Sequence, residues 1–529
     1  MGMSRFTAFE SYKRNSDLGH LNRFIYLLAF ISFCLPFFLQ NGIYQAHRDE
    51  LLYLAEGHHL DWGYLEIPPL LSLLAWISVH LGTSIYWFKF WPAVFSGLTF
   101  ILCGKMVTFQ GGRYLAILFS WIPFVLGVYL RVFFLFQPNF LEIFCWTSMA
   151  YCLFNYLQTE KNDYLYYFGI SLGLGLLSKS TAALYFFSLI IGLIFSRERR
   201  IFWNKHFYFS LILAFLIFLP NLLWEILHHF PFIHHMKELK EEQLQYLSTG
   251  DFLKNQVLMN LSCFYIWILG LIFLSIDPKG KPYQPFLIGY FALLVSMILL
   301  KGKDYYMLGS YPILFVFGSV FLTKITLERF KWVPLVLLGI SIVLGSFFIP
   351  LIIPLWRPQK LAEYYKKAGL EQTGFLKWED QKFHPLPQDF SDMLGWKELA
   401  EKVATVYQQL SPEEKSKTLI FCDDYCSAGA MTYYSPSMKF PEPISDASNF
   451  KLWIPDSIRF QNLILIRREG PKLRDDINNC FEQISLKDSL NTPYARELGM
   501  KILYLKGVHP DFVKYVQKKW NKEKSIFQP

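Results

Sequence analysis

A chain of 529 residues that is 53% hydrophobic and 19% aromatic, with only 18% charged residues, carries too much apolar surface for one soluble domain. Its formal charge of +9 is scattered between apolar stretches and forms no basic run, which argues against a nucleic-acid-binding face and leaves a multi-span membrane protein. Cys34, Cys103, Cys145, Cys152 and Cys263 fall inside apolar stretches as small hydrophobes. Cys422, Cys426 and Cys480 lie in polar sequence without the His spacing of a metal site. A Cys422–Cys426 or longer-range disulfide would need an oxidising compartment.

A polar N-terminal stretch with Lys13, Arg14 and Arg23 precedes a first apolar segment too long for a signal core, which reads as a span that stays. At about twenty apolar residues per crossing, spans are expected near 22–40, 84–104, 113–130, 139–158, 164–178, 181–196, 207–226, 256–276, 285–300, 305–323 and 332–355. After the first comes an acidic stretch, 47–70, holding Asp49, Glu50, Glu56, Asp61 and Glu66. The segment 67–81 starts with two prolines and is short, so it reads as an interfacial helix. Past Pro354 the composition turns mixed and charged, with strand-like runs at 418–422 and 462–466 and a helical stretch at 394–410. The expected fold class is therefore an all-α polytopic membrane domain, 1–355, with about eleven transmembrane helices, followed by a small soluble α/β domain, 356–529.

Orientation follows from the basic residues. With the N-terminus inside, the inner loops hold Lys105 and Arg113, Lys161, Arg197 to Lys205, Lys279 and Lys281, and Lys324, Arg329 and Lys331. The acidic stretch and everything after 356 then lie outside. Four basic residues break the trend on the outer side: Arg131, Lys179, Lys301 and Lys303. Exceptions on one face, beside apolar spans, are candidates for holding an anion.

On that face Asp49, Glu50, Glu66, Asn139 and Glu142 join the four cations. Such a set suits group transfer from a lipid-linked phosphate, because cations offset the leaving phosphate and a carboxylate accepts the acceptor's proton. Plainer readings stand beside these roles. Asp49 could be half of an ion pair with Arg48, Glu50 a helix cap, Glu66 a solvated carboxylate, and the lysines could reach for headgroups. The run HHFPFIHH (228–235) lacks patterned carboxylates or cysteines and reads as an exposed loop.

The series HRDELLYLAEGHHLDWGYLEIPPL (47–70), QPNFLEIFCW (137–146), GLGLLSKSTAAL (173–184), LPNLLWEILHHFPF (219–232) and KGKDYYMLGSYPIL (301–314) resembles a bacterial family. This is the membrane glycosyltransferases of the protein O-mannosyltransferase and aminoarabinose transferase superfamily, with the type-C glycosyltransferase fold. The likeness runs in order over about residues 20–350, and DDYCSAGAMTYYSP (423–436) weakly resembles the periplasmic domain of the same subgroup.

The resemblance implies inverting transfer of a monosaccharide from a polyprenyl-phosphate donor, usually undecaprenyl phosphate. The acceptor would be a protein, lipid or glycan at the outer face of a bacterial inner membrane. It places the family's catalytic acid on Asp49, with Glu50 beside it and Glu66 as the carboxylate before Pro-Pro. The family's second acid falls on Asn139, with Glu142 one turn on as a substitute; that departure weakens the case for a bridging metal and leaves a divalent cofactor open. Lys179, Lys301, Lys303, Asp304 and Tyr305 match motif positions near the donor phosphate, and Arg131 joins them from its place on the outer face. A lipid transporter and an inactive scaffold of the same fold are the rival readings; the first predicts pseudo-symmetric halves, and no repeat is visible.

Overall fold

The computed structural model describes residues 3–82, 84–242, 244–327, 330–468 and 479–528. Its longer helices are α1 (Met3–Leu39), α2 (Arg48–His58), α3 (Leu70–Leu81), α4 (Ile85–Phe109), α5 (Tyr114–Leu126), α6 (Pro138–Thr159), α7 (Asp163–Ser178), α8 (Thr181–Ile194), α9 (Lys205–Leu227) and α10 (Pro231–Glu242). There follow α11 (Thr249–Leu258), α12 (Phe264–Ile276), α13 (Gln284–Leu299), α14 (Tyr311–Leu327), α15 (Val333–Ile352), α16 (Pro358–Lys367), α17 (Trp396–Gln408), α18 (Tyr425–Met438) and α19 (Pro510–Ser525). The strands are β1 (Thr418–Cys422), β2 (Asn462–Arg467), β3 (Phe481–Ser489) and β4 (Lys501–Val508).

The protein is a mostly helical membrane-type chain with a small C-terminal sheet. Each stretch expected to span contains helix, although 256–276 is divided between α11 and α12 by a turn at 259–263, and 67–81 yields α3. Among the described residues, six helices are long and apolar enough to cross a membrane, or seven if Thr181–Ile194 and Arg197–Trp203, bent by 110°, count as one. The others expected to span are shorter or less apolar: α5 and α12 have 13 residues each. At ~1.5 Å per residue such a helix falls short of a hydrocarbon core of about 30 Å. Arg329, one of the inner-loop cations, lies outside the described residues.

The chain divides into two compact units. The first is Met1–Leu39, Lys89–Pro220 and Leu239–Ile353; the second is Gln40–Phe88, Asn221–Glu238 and Pro354–Pro529. The acidic stretch and the histidine run thus group with the C-terminal part.

In the first unit, helix pairs approach at small residues, as expected where lipid gives no hydrophobic push between helices. A Cβ on Gly318 would lie 1.7 Å from the Ile266 carbonyl oxygen, so α14 meets the backbone of α12 directly. Aromatic rings fill the wider gaps: Trp146 and Tyr185 stack at 4.4 Å, and Phe273 stacks on Phe317 at 5.6 Å.

In the second unit the sheet runs β1-β2-β4-β3, with β1 and β2 parallel and the other pairs antiparallel. Every residue of β2 is buried, so both faces of this central strand are covered, which explains its unbroken apolar run. One face packs Leu463, Leu465, Leu503 and Leu505 with Phe512 and Val513 of α19. Cys422 ends β1 and Cys426 lies in the first turn of α18; both are buried thiols, and no disulfide joins them. The histidine run is a turn followed by α10, not a free loop: His228 stacks on Trp224 at 4.0 Å.

Candidate active site

The sequence-predicted residues fall into two groups, one in each unit. In the second unit α2 opens on a capping box: the His47 ring accepts from the Asp49 N–H at 3.2 Å, and Glu50 reaches back to the His47 N–H at 2.8 Å. Glu50 is fully buried in this cap, so its first task is to start the helix. Asp49 sits in the first turn, where backbone dipoles favour an anion, and its side chain keeps 28% exposure.

Asp49 is held from two sides. The Tyr425 hydroxyl donates to its Oδ1 at 3.0 Å, and Arg48 Nε lies 3.5 Å from the same oxygen. Arg48 is itself fixed by Glu379 at 3.3 Å and by Asp392 at 3.3 Å. Arg496 ties those two carboxylates together at 2.9 and 3.4 Å. Tyr425 follows Asp424, the residue that caps α18 by accepting from the Ser427 N–H, so the end of β1 aims it. Close packing completes the placement: a Cβ on Gly429 would come within 2.9 Å of the Leu51 backbone, so α18 rests directly on α2. Residues four apart share a helix face, and the face that carries Gly429 carries Tyr425.

Glu66 is gripped from the C-terminal segment. Ser448 Oγ donates to Oε1 and Asn449 Nδ2 to Oε2, both at 2.5 Å. Asn449 also donates to Glu56 at 2.7 Å and accepts from the Leu65 N–H at 2.7 Å. Glu56, fully buried, takes a further hydrogen bond from Ser72 of α3 at 2.6 Å. Burial pushes Glu66 up to about 7 against the pull of Ser448, Lys451 and Asn449. Burial likewise raises Glu56 well above the usual carboxylate range. Glu56, in sequence only one of five carboxylates of the acidic stretch, is a dry hub.

His47, Asp389 and Asp392 place one ligand atom each within 4.8 Å of one another, the single such group of three among the described residues. The donor chemistry does not suit a metal. His47 Nδ1 accepts from the Asp49 N–H, and burial lowers the ring's affinity for protons, so the neutral ring carries its hydrogen on Nε2. That nitrogen points at Asp389 and Asp392 from 3.6 and 3.7 Å with no lone pair to offer an ion. Arg48 and Arg496 already flank Asp392.

In the first unit Lys179 is the centre. It occupies the turn between α7 and α8, and its ammonium donates to Asn139 Oδ1 at 2.7 Å and Glu142 Oε2 at 2.9 Å. It also lies 4.3 Å from the Tyr306 ring centre and 5.3 Å from that of Tyr305. Thr181 donates to the other oxygen of Glu142, whose side chain is only 3% exposed. The Lys179 ammonium therefore already engages one oxygen each of Asn139 and Glu142, the second-loop residues that a metal bridging the two outer loops would have called on, which does not suit them to hold one.

The neighbouring motif is also anchored. Asp304 accepts from Asn255 at 2.6 Å and from the Tyr305 N–H at 2.8 Å, and Gln256 donates to its carbonyl at 3.1 Å. Lys301 takes a left-handed backbone, φ 51°, and reaches the Gln245 carbonyl at 3.2 Å. Lys303 is partly buried at the start of the following 3-10 turn, and Arg131 is partly buried on the turn Tyr129–Val132.

Sequence reasoning missed Tyr425, Asn449, Ser448, Thr181 and Tyr306 as members of these groups. Tyr425 lies inside a motif already singled out, and Thr181 and Tyr306 adjoin predicted residues. Nothing in the local sequence marks Asn449. Lys89, buried in the first unit and donating to the Phe134 carbonyl at 2.8 Å, also carried no signal from its apolar context.

A dolichyl-phosphate-mannose-protein mannosyltransferase family model matches residues 66–224. No curated protein sequence matches the chain. Among solved structures, ArnT from Cupriavidus metallidurans bound to undecaprenyl phosphate superposes with a TM-score of 0.63 at 12% identity, covering 90% of this chain and 97% of that one. The chain has the type-C glycosyltransferase fold. ArnT in its apo state superposes with a TM-score of 0.62 over the same shares, at 12% identity. An Archaeoglobus fulgidus oligosaccharyltransferase gives 0.49 at 12% identity, over 84% of this chain and 68% of that one. Within this type-C fold, one partner that the structure gives Asp49 is a tyrosine contributed by α18.

Proposed function

We propose that this chain is a membrane glycosyltransferase that moves a monosaccharide from a polyprenyl-phosphate donor to an acceptor hydroxyl at the outer face of a bacterial inner membrane. The observation that carries the reading is the fold match along 97% of a chain solved with undecaprenyl phosphate bound. Asp49 takes the acceptor's proton as its oxygen attacks the anomeric carbon, the bond to the lipid phosphate breaks, and inversion results. Lys301, Lys303 and Arg131 offset charge on the leaving phosphate, with Tyr305 in the same motif as the two lysines. Lys179 serves as a positioning residue, since Asn139 and Glu142 already engage its ammonium. No step runs through a metal. The second unit is read as lying outside, following the basic inner loops.

Turnover of a labelled polyprenyl-phosphate sugar by purified protein tests the reading. Asp49→Asn is expected to lower kcat by ~10²–10⁴. Near-normal transfer by that variant at normal expression overturns the assignment. A reporter fused after residue 356 checks the orientation; a cytoplasmic signal contradicts it.

A further inference from the structure

We propose that Tyr425 is a positioning residue for Asp49, through which the C-terminal segment orients the base and keeps it ionised. The inference rests on the reading of Asp49 as the base. A carboxylate in the first turn of a helix can rotate about two side-chain torsions, and a base must present one oxygen to the acceptor. Tyr425 donates to Oδ1 at 3.0 Å, which fixes the plane of the group. The donor cannot become an acceptor: burial, with the Asp49 charge behind it, drives the phenol well above its ordinary range, so the hydroxyl keeps its proton.

Charged and titratable groups face Asp49 from several elements. From α2 and its cap, Asp49 faces Arg48 at 3.5 Å and the His47 ring at 3.7 Å; Glu50 is turned back to the His47 N–H. From the 379–392 segment come Glu379 and Asp392, both bound to Arg48 and Arg496, and Asp389 beside the His47 ring. Arg48 Nε is shared between Asp49 and Asp392, at 3.5 and 3.3 Å, and both distances exceed that of the tyrosine. From α18 Tyr425 donates a side-chain hydrogen bond to Asp49. A donor to the charged form favours ionisation. Removing it raises the pH at which the base becomes active.

Tyr425→Phe, assayed as the full-length protein with a polyprenyl-phosphate sugar, is expected to lower kcat about tenfold and leave KM for the donor within about twofold. The acidic limb of its pH–rate profile is expected to move up by about one pH unit. A wild-type limb and kcat in Tyr425→Phe, beside an inactive Asp49→Asn, overturns the tyrosine's role and leaves the base reading standing. So does a loss of activity with an unmoved limb and a lowered melting temperature, which marks a merely structural contact. Near-normal turnover by Asp49→Asn sinks the base reading and this inference with it. Should Tyr425→Phe not fold, fluorotyrosine at 425, a stronger donor, is expected to move the limb to lower pH; no movement there counts against the proposal.

Discussion

Lys179 shows how one residue changes meaning between sequence and structure. A lysine in a short turn between apolar helices suggests a free cation for phosphate, yet its protons go to Asn139 and Glu142. Breaking a buried pair by removing one partner costs about 3–5 kcal/mol, because the other charge is left uncompensated. Lys179→Met is therefore expected to destabilise the protein by an amount of that order, and Glu142→Gln in the same background is expected to restore much of it. Thermal unfolding of both single variants and the double variant measures the coupling; additive losses would show that the pair is not a unit. Glu66 gives a second test at this scale. Its carboxyl sits at about 7 in the fold against an ordinary 4.5, so between those values the folded form holds a proton that the unfolded chain has lost. Stability from this group is then fully present below about pH 4.5, falls by on the order of 3 kcal/mol as pH rises to about 7, and is flat above. Glu66→Gln should remove that slope. An unchanged pH–stability curve in the variant would show that Glu66 is not its source.

The elements were legible where a period or a run announces them. Each expected span contains helix, one of them, 256–276, in two pieces, and TLIFC and NLILI became β1 and β2. Helix lengths were less legible, since hydropathy over a window runs on through caps and turns that end a helix: Gly127 stops α5 short of the expected 130. The site was legible only where its residues sit in motifs. Asp49, Glu66, Lys179 and Asp304 could be named, whereas Asn449 and Ser448 act across nearly four hundred residues of chain, |i−j| 383 and 382, which no local pattern reports. Gly429 is another such case: in sequence it is a weak spot in a helix, and in the fold it is what lets α18 lie on α2. Its Cβ would meet the Leu51 backbone at 2.9 Å, and backbone cannot rotate away. Gly429→Ala is expected to cost about 1–3 kcal/mol and to loosen Tyr425 from Asp49. Its pH–rate profile should shift in the same direction as that of Tyr425→Phe; wild-type stability and an unmoved limb would refute the close-packing argument.

At the scale of the whole molecule, composition suggests a boundary near 356 with a small soluble α/β domain beyond it. The second unit is instead discontinuous, built from Gln40–Phe88, Asn221–Glu238 and Pro354–Pro529. The pieces are joined by groups that neither could satisfy alone. Asn449 divides its amide between Glu56, Glu66 and the Leu65 N–H. Arg48 closes on Glu379 and Asp392, and Asn221 donates to the Trp62 carbonyl at 2.7 Å. A fragment of 356–529 would present the α18 face around Gly429 to water, strip Asn449 of Glu56, Glu66 and the Leu65 N–H, and leave Asp392 with Arg496 but without Arg48 and His47, so both apolar burial and polar satisfaction are lost together. Such a fragment is expected to lack a cooperative unfolding transition, and the segment 40–88 supplied in trans or by fusion is expected to raise its stability. Thermal unfolding of both forms, followed by near-UV circular dichroism, checks this. A monomeric 356–529 fragment that melts cooperatively at the temperature of the intact chain would show that the tail is an independent domain after all.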